Sequence, residues 1–255
     1  MTLALITGAS SGIGAELARI HAARKGDLIL VARRLDRLEA LGDELEAAHG
    51  ISVTPVEADL ATPEGIEATM AAAEGREVEV LVNNAGFGGR GTFLEHERER
   101  ELSMIDLNVR ALVDLTHRLA GPMVGRGRGR ILQVGSTAGF MPGPMQATYF
   151  ATKAFVNSFG QALAEELRGT GVTVTVLAPG AVDTEFMDVA DMRDLDAVKG
   201  APSAREVAEF AYRAMERGEL VAINDRKLAA MIRTLSLVPR RAVLKMARDF
   251  MSKGV

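Results

Sequence analysis

The chain has 255 residues, a formal net charge of −4 and no cysteine, which excludes disulfides, thiolate catalysis and cysteine-based zinc sites. Its four histidines are scattered and form no metal-binding pair, and the negative charge gives nucleic-acid binding no overall electrostatic support. No apolar run approaches the ~18 residues of a membrane span, and the N-terminus has no basic stretch followed by an apolar one. We therefore expect a cytoplasmic protein without a metal site, a nucleic-acid partner or an integral membrane span.

Seven short apolar runs alternate with longer segments of helical pattern. The runs are rich in Val, Ile and Leu, as is typical of strands buried on both faces. This alternation predicts an α/β fold built on a parallel sheet, with crossover helices between the strands. The predicted strands are residues 3–6, 28–31, 51–56, 78–82, 131–134, 172–177 and 220–223.

Several helix boundaries can be predicted from local sequence. Thr62, before a proline, and Ser203, at the start of a capping box, have the context of N-cap residues. One long helical pattern covers 97–123, with a break expected near Asn108. Another covers 149–168 and ends at a glycine, which is a common helix terminator.

A glycine-rich loop follows the first predicted strand and precedes a helical pattern. Glycines let the backbone approach phosphates closely, and a helix N-terminus offers unpaired N–H groups and the positive end of a dipole. Three glycines can also simply form a turn, but this position between strand and helix favours a dinucleotide site. The residues assigned to the loop are Gly8, Ser10, Ser11, Gly12, Ile13 and Gly14.

The end of the second strand indicates which dinucleotide binds. An acidic residue there favours NAD, whereas arginine accommodates the 2′-phosphate of NADP. This chain has Arg33 and Arg34 at that point and no carboxylate before Asp36. The alternative is two solvated arginines at a helix start. The position favours NADP(H) over NAD(H).

Tyr149 and Lys153 stand four residues apart and share a helix face if their segment is helical. A nearby ammonium group favours the phenolate and lowers the pKa of a tyrosine from its usual value near 10. Taken alone, this pair is a common accident of sequence. The other motifs of the chain make the pair a catalytic candidate.

With those motifs, the chain resembles the short-chain dehydrogenase/reductase family over essentially its first 225 residues. The motifs stand in the family's order and at its usual spacings. They are Thr7-Gly8-x3-Gly12-x-Gly14, Asp59-Leu60, Asn83-Asn84-Ala85-Gly86, Asn108, Ser136, Tyr149-x3-Lys153 and Pro179-Gly180 followed by Thr184.

The resemblance implies four catalytic residues. Tyr149 would give a proton to the substrate oxygen during reduction, or take one during oxidation. Lys153 would lower the pKa of Tyr149 and bind the nicotinamide ribose. Ser136 would hydrogen-bond the substrate oxygen, and Asn108 would hold a water that relays protons to Lys153.

The resemblance also implies coenzyme contacts. Tyr149 and Lys153 would take part in them, and the loop and arginine residues named above would bind the phosphates. One departure is that many NADP-preferring members carry a basic residue inside the glycine loop, where this chain has two serines, so its preference for NADP would be less strict. The remaining contacts would be Asp59, Leu60, Asn84, Ala85, Gly86, Pro179, Gly180, Val182 and Thr184.

The segments after Ser136 and Thr184 carry methionine and aromatic side chains that suit an apolar carbonyl substrate. These side chains either bind that substrate or merely pack a loop over the cleft. Besides Ser136 and Tyr149, we expect Gln146 and Phe186 to bind the substrate. Four aspartates between 188 and 196 indicate a solvated, mobile lid.

Positive charge concentrates in two segments. Residues 125–130 alternate glycine and arginine, which is typical of a solvated turn, although an RNA contact is the alternative. Residues 226–255 carry eight basic residues and one aspartate, for a net charge of +7. Their helical apolar patterns fit either packing over the core or docking on a membrane or partner surface.

The sequence thus predicts a single Rossmann-type, doubly wound domain with a seven-stranded parallel sheet and helices on both faces. Residues 1–225 would form the dinucleotide-binding and catalytic part, and 226–255 a basic helical extension of it. The predicted function is NADP(H)-dependent interconversion of a carbonyl and an alcohol, in a homodimer or homotetramer. Two alternatives are a non-catalytic coenzyme-sensing regulatory protein and a lipid carbonyl reductase at a membrane surface.

Overall fold

One parallel sheet forms the centre of the molecule. Its strands are β1 Leu3–Thr7, β2 Asp27–Ala32, β3 Val53–Glu57, β4 Val78–Asn83, β5 Gly129–Val134, β6 Val172–Leu177 and β7 Val221–Ala222. The computed structural model describes residues 2–195 and 199–252, and within those ranges the seven strands follow the order β3-β2-β1-β4-β5-β6-β7. Every neighbouring pair is parallel, which confirms the predicted sheet.

The strand order places a crevice at the centre of the sheet. β1 pairs with β2 on one side and with β4 on the other, so successive connections leave the middle in opposite directions. In open α/β sheets, ligands bind outside the carboxyl ends of the strands at such a switch point. The fold therefore places any dinucleotide beside the loops that follow β1 and β4.

The two edge strands are the ones that are shorter than predicted. β3 begins at Val53 instead of residue 51, and β7 consists of Val221 and Ala222 alone. Each is paired on one side only, so fewer ladder hydrogen bonds extend it. Pro55, which has no N–H to donate, lies in β3, where an edge strand tolerates it.

Helices cover both faces of the sheet. They are α1 Gly12–Ala23, α2 Leu35–His49, α3 Pro63–Ala73, α4 Arg98–Ile105, α5 Leu112–Gly125, α6 Ala147–Glu166, α7 Phe186–Val189, α8 Ala204–Glu216, α9 Arg226–Thr234 and α10 Arg240–Met251. The hydroxyl of Thr62 accepts from the backbone N–H of Gly65, and Ser203 forms a reciprocal capping box with Glu206. Both predicted N-caps are therefore confirmed.

The long helical segment after β4 is interrupted where the sequence predicted a break. α4 runs into a π-helical turn, Asp106–Ala111, from which α5 continues. Asn108 lies in this turn and is buried. Such turns inside α-helices occur frequently at functional sites.

Apolar side chains pack on both faces of the sheet and at its carboxyl end. On one face, α1, α2 and α8 contribute residues such as Leu17, Leu38 and Val207. On the other face, α3 and α5 contribute residues such as Ile66 and Leu115. A third cluster gathers around Tyr149 at the carboxyl end of the strands and consists largely of methionine and aromatic side chains.

The basic C-terminal segment packs on the body of the protein. Val243, Ala247 and Met251 lie on one face of α10 and are buried, whereas Lys245 is exposed. This arrangement is the first of the two that the sequence left open, with apolar residues inward and basic residues outward. Across the described residues, no helix is long and apolar enough to span a membrane.

The glycine–arginine run forms a turn before β5. Arg126 donates a hydrogen bond to the carbonyl of Val78 at 2.8 Å. Arg128 pairs with Glu77, with an N···O distance of 2.7 Å. These arginines therefore bind the neighbouring strand β4 and its preceding turn, which favours the structural interpretation over an RNA contact.

Candidate active site

A single cleft of about 760 Å³ at the carboxyl edge of the sheet brings together most of the predicted site residues. Gly14 and Asn108 do not line it. The predicted residues that do are Gly8, Ser10, Ser11, Gly12, Ile13, Arg33, Arg34, Asp59, Leu60, Asn84, Ala85, Gly86, Ser136, Gln146, Tyr149, Lys153, Pro179, Gly180, Val182, Thr184 and Phe186.

The glycine loop is held open by its own backbone and by Asn84. Gly8 and Gly12 have φ angles of +66° and +56°, in the left-handed region that favours glycine. The Asn84 amide donates to the carbonyls of Thr7 and Gly8 at 2.9 and 3.2 Å. A Cβ at Gly14 would lie 2.4 Å from the Gly8 carbonyl oxygen, so Gly14 lets α1 pack on the loop.

The N-terminus of α1 fits the phosphates of a dinucleotide. Ser11 is the N-cap residue, but its side chain makes no capping hydrogen bond, and the first turn holds no acidic residue. A Cβ on Gly12 would lie 3.2 Å from the Thr184 methyl group, so only a glycine keeps this approach open. Unpaired N–H groups beside a glycine cradle are the arrangement that binds pyrophosphate.

The two predicted arginines differ in their surroundings. Arg33 is exposed and has no ion pair within the described part of the chain. Arg34 donates to the hydroxyls of Ser10 and Ser11 at 3.0 and 3.1 Å and to Glu185 at 2.9 Å. Ser10, Ser11 and Arg34 thus form one cluster at the end of the cleft beside the glycine loop.

Two residues that the sequence did not single out complete this cluster. The Glu185 carboxylate accepts from Arg34 and also from Arg37 at 2.5 Å. Hydrogen bonds from Arg37 and Arg34 lower the pKa of Glu185 to about 2. Glu185 lies 151 positions from Arg34, so no local spacing could have revealed the contact.

The loop after β3 forms one end of the cleft. The carboxylate of Asp59 accepts a hydrogen bond from the backbone N–H of Ala61 at 3.0 Å. Leu60 is buried, and both Asp59 and Leu60 line the cleft. These contacts orient Asp59, one of the coenzyme contacts that the resemblance implies, at the edge of the cleft.

Tyr149 and Lys153 lie one turn apart in the first half of α6, and both are buried. The Lys153 Nζ donates to the Val134 carbonyl at 2.8 Å and lies 5.9 Å from the centre of the Tyr149 ring. Burial raises the pKa of Tyr149 to about 12, partly offset by a hydrogen bond with Ser136. Burial lowers the pKa of Lys153 to about 8.

The net shift of the Tyr149 pKa is therefore upward, whereas the sequence predicted a lowering effect from Lys153. The desolvation of the phenol outweighs the effect of neighbouring groups, and the lysine is directed to a backbone carbonyl of β5. The phenol therefore stays protonated at neutral pH. A protonated phenol is suited to give a proton to a substrate oxygen.

Asn108 holds the loop after β4. Its Oδ1 accepts from the Phe87 N–H at 3.1 Å, and its Nδ2 donates to the Phe87 carbonyl at 3.0 Å and to the Thr152 hydroxyl at 3.1 Å. A Cβ at Gly86 would lie 2.9 Å from the Asn108 oxygen and 3.5 Å from the Lys153 nitrogen. The side chain of Asn108 therefore positions residues around the cleft from behind its wall.

Ser136 is fixed by a residue that sequence reasoning missed. The Asn157 amide donates to the Ser136 carbonyl at 2.9 Å, and its oxygen accepts from the Ser136 N–H at 3.4 Å. A Cβ at Gly135 would lie only 2.0 Å from that oxygen, so a glycine is needed beside the serine. The available signal was that Asn157 follows Lys153 by one helical turn on the same face of α6.

The opposite end of the cleft, around Gln146 and Phe186, is apolar. Gln146 is buried there; its Nε2 donates to the Met192 sulfur at 3.0 Å, and its Oε1 has no partner in the described part of the chain. The Phe186 ring lies 5.5 Å from the Tyr149 ring. The other apolar residues of this end are Phe87, Met141, Phe150, Met187, Val189, Met192, Leu228, Met231, Leu235, Val243, Met246, Ala247 and Met251.

The described aspartates of the acidic segment beyond Thr184 are exposed, as the sequence predicted, and two of them form ion pairs. Asp188 pairs with Arg193 at 2.7 Å, and Asp194 pairs with Arg90 at 3.0 Å. The Arg90 side chain is only 7% exposed, so this pair ties the segment firmly to the loop after β4. Of the four aspartates, Asp196 lies outside the described residues.

The fold and the cleft together define an oxidoreductase built on a dinucleotide-binding sheet. The chain belongs to the short-chain dehydrogenase/reductase family, since the family described as short chain dehydrogenase matches residues 2–194. It is an NAD(P)-dependent enzyme that acts on CH–OH or C=O groups. One relative, a sulfoacetaldehyde reductase of Chromohalobacter salexigens, is 43% identical over 185 residues, 71% of this chain and 72% of that protein.

Two solved structures are similar over nearly the whole chain. A short-chain dehydrogenase from Sphingobium yanoikuyae in complex with NADPH has a TM-score of 0.85 and 34% identity, over 99% of this chain and 96% of that one. A bulky-bulky ketone specific alcohol dehydrogenase from Comamonas testosteroni has a TM-score of 0.82 and 29% identity, over 99% and 94% of the two chains. The resemblance in fold thus includes the C-terminal helices.

Proposed function

We propose that the chain uses NADPH to reduce an apolar ketone or aldehyde to its alcohol. The observation that carries this proposal is the convergence of Ser136, Tyr149 and Lys153, all buried, on an apolar chamber that continues into the arginine-lined end of one cleft. The coenzyme would supply the hydride. The protein's own residues would bind, orient and protonate the substrate.

The proton transfer follows from the surroundings of Tyr149. Ser136 donates a hydrogen bond to the carbonyl oxygen and holds it beside the phenol. As the carbonyl carbon gains a hydride, the oxygen gains negative charge and takes the proton of the Tyr149 hydroxyl, which gives the alcohol. With its pKa raised to about 12, Tyr149 is protonated before this step, which is the state that proton donation requires.

Lys153 supports the phenolate that this step leaves. Its pKa of about 8 keeps the ammonium largely charged at neutral pH. A positive charge that close to the ring offsets part of the cost of a buried phenolate. We propose that protons return to Lys153 through a water molecule near Asn108. Both polar side-chain atoms of Asn108 already have partners, so the main chain would hold this water.

The preference for NADP(H) over NAD(H) is supported by three features. Arg33 and Arg34 line the nucleotide end of the cleft, and no acidic residue replaces them at the end of β2. The hydroxyls of Ser10 and Ser11 lie in the same cluster. The similar Sphingobium structure holds NADPH.

The substrate is proposed to be apolar and fairly bulky. The chamber around Gln146 is lined by methionine and aromatic side chains, and the described residues put no arginine there. The similarity to a dehydrogenase specific for bulky ketones supports this size. The substrate for which the Chromohalobacter relative is named carries a sulfonate group. Among the residues described as lining this end of the cleft, Lys153 alone is a cation that could bind such a group.

The alternatives receive less support. A coenzyme sensor without catalysis gives no reason to bury Lys153 beside Tyr149, since a buried ammonium is costly without a partner of opposite charge. A lipid reductase docked by its tail would use exposed apolar side chains such as Leu237, but the buried face of α10, with Val243, Ala247 and Met251, lines the cleft instead. We further propose one domain over 1–225 with 226–255 as its extension, in a cytoplasmic homodimer or homotetramer.

Exchanging Tyr149 for Phe tests the mechanism. We expect reduction of apolar ketones to fall by about 10²- to 10⁴-fold, because the general acid is lost. The affinity for NADPH, measured by fluorescence titration, should stay within about twofold, since the ring remains in place. Near-normal turnover in this variant would exclude Tyr149 as the proton donor.

Tyr212→Phe is the matched control, because Tyr212 is the only other tyrosine, is buried and lies against His21 away from the cleft. It should keep normal turnover. If the unchanged protein binds NADPH but turns over no carbonyl in a broad panel, the sensor interpretation is favoured instead. If it reduces only small anionic aldehydes, the proposed substrate class is wrong.

A further inference from the structure

Glu185 occupies the cluster to which we assign the 2′-phosphate. Its carboxylate accepts hydrogen bonds from Arg34 at 2.9 Å and from Arg37 at 2.5 Å. Arg34 is also bonded to the hydroxyls of Ser10 and Ser11, so its guanidinium is fixed between the glycine loop and the carboxylate. One anion of the protein itself is therefore bound where an anion of the coenzyme would bind.

We propose that Glu185 competes with the 2′-phosphate for Arg34 and Arg37, and thereby limits the preference of the enzyme for NADP(H) over NAD(H). This inference rests on the proposed function, which assigns the phosphate to Arg33, Arg34 and the loop serines. NAD(H) carries a hydroxyl at the same position and meets no such competitor. Glu185 is thus a specificity-determining residue for the coenzyme.

The competition follows from charge. A phosphate monoester carries about −1.5 to −2 charges at pH 7. Placed on Arg34, it must either displace the Glu185 carboxylate or lie a few ångströms from it, and like charges at that distance repel. Because its arginine partners hold the pKa of Glu185 near 2, the carboxylate cannot relieve this repulsion by taking up a proton near neutral pH.

A merely structural role for Glu185 has a different signature. The residue directly precedes α7, and the neighbouring Phe186 packs 5.5 Å from the Tyr149 ring. If Glu185 only fixed this segment, its loss would disturb the whole cleft and change the binding of both coenzymes together. Competition with the phosphate changes the binding of NADPH alone.

The test is Glu185→Gln, which keeps the shape of the side chain and removes its charge. We expect the dissociation constant of NADPH to fall by about three- to tenfold. The expected change is modest because solvent screens the repulsion between partly exposed charges. The dissociation constant of NADH should stay within about twofold, and the gain for NADPH should shrink as salt increases. The same contrast should hold between adenosine 2′,5′-bisphosphate and ADP.

Glu209→Gln is the matched control. Glu209 also lies between two arginines, Arg205 and Arg213, with its side chain 42% exposed, but on α8 and not among the cleft-lining residues. It should change neither coenzyme's affinity. Unchanged or weaker NADPH binding in Glu185→Gln, or an equal change for NADPH and NADH, would overturn the inference.

Arg34→Ala separates this inference from the proposed function. If it abolishes the preference for NADPH while Glu185→Gln has no effect, the phosphate site stands and the competition is wrong. If Arg34→Ala leaves the preference unchanged, the assigned phosphate site itself is wrong, and the inference fails with it.

Discussion

Ser136 and Tyr149 reach the substrate oxygen from different elements, so their separation depends on how firmly each is held. Tyr149 is fixed by the helix α6. Ser136 lies in the loop after β5 and is held by hydrogen bonds between its backbone and the amide of Asn157. A misplacement of about 1 Å at such a site can cost about 10²-fold in rate. Asn157 is therefore a positioning residue for the proposed reaction.

We expect Asn157→Ala to lower kcat by at least about tenfold, because the backbone of Ser136 would no longer be held against the middle of α6. The dissociation constant of NADPH should change by less than about twofold, since Asn157 does not line the cleft. Gln161→Ala is the control, because Gln161 lies one turn further along and, within the described part of the chain, its side chain bonds only to the Asn157 carbonyl. A loss of NADPH affinity equal to the loss in kcat would show general disruption instead.

The catalytic residues could be found from the sequence because their motifs are local or stand in a fixed order. Arg37 and Glu185 could not, since each acts through a partner that only the fold brings near. The spacing of Asn157 from Lys153 indicated its helix face, but not its contact with Ser136. The Glu185–Arg34 pair spans 151 positions, and the contact of Asn157 with Ser136 spans 21. Spacing arguments work within one helix or loop, and these contacts join two elements.

The same limit applies to the prediction of strands and helices. Central strands were predictable because apolar residues must fill both faces, whereas the ends of edge strands depend on a single neighbour. The break near Asn108 was expected, but its form as a π-helical turn depends on packing against the loop at Phe87. The contact between α1 and α8 could not be predicted from local sequence either, because it buries His21 against Tyr212, 191 positions away.

That contact predicts a dependence of stability on pH. The two ring nitrogens of His21 lie 2.8 Å from the Tyr212 hydroxyl and 3.1 Å from the Thr2 carbonyl. Burial lowers the pKa of His21 below its ordinary value of 6.5. The unfolded chain therefore binds a proton at this residue before the folded protein does.

Stability from this group is fully present above about pH 6.5 and decreases as the pH falls, by up to about 1.4 kcal/mol per pH unit. The free energy of unfolding, measured by urea denaturation at several pH values, should show this decline. In His21→Leu the decline between pH 7 and 5 should be shallower, although the variant is less stable overall. His117→Gln, at an exposed site, should keep the full slope. Equal slopes in all three proteins would contradict the assignment.

At the scale of the whole molecule, the C-terminal extension closes the substrate end of the cleft. α9 and α10 contribute Leu228, Met231, Val243 and Met246 to its wall, so the chamber is built from the body and the extension together. The Leu228 side chain would lie 2.9 Å from a Cβ on Gly180, so the glycine after β6 makes room for α9. Substrate size would then be set by the last helices, while the coenzyme end is set by β1 to β4.

Val243→Asp tests this division. Val243 is 5% exposed, and a carboxylate there would be placed in the apolar wall. We expect KM for a bulky apolar ketone to rise by about tenfold or more, because burying an unpaired charge is costly and the wall would open. NADPH affinity should stay within about twofold, because the nucleotide end lies at other elements. Lys245→Asp, on the exposed face of the same helix, should leave both constants unchanged. If Val243→Asp leaves KM unchanged, or if only Lys245→Asp alters catalysis, the extension acts through its outer surface and not as the wall of the cleft.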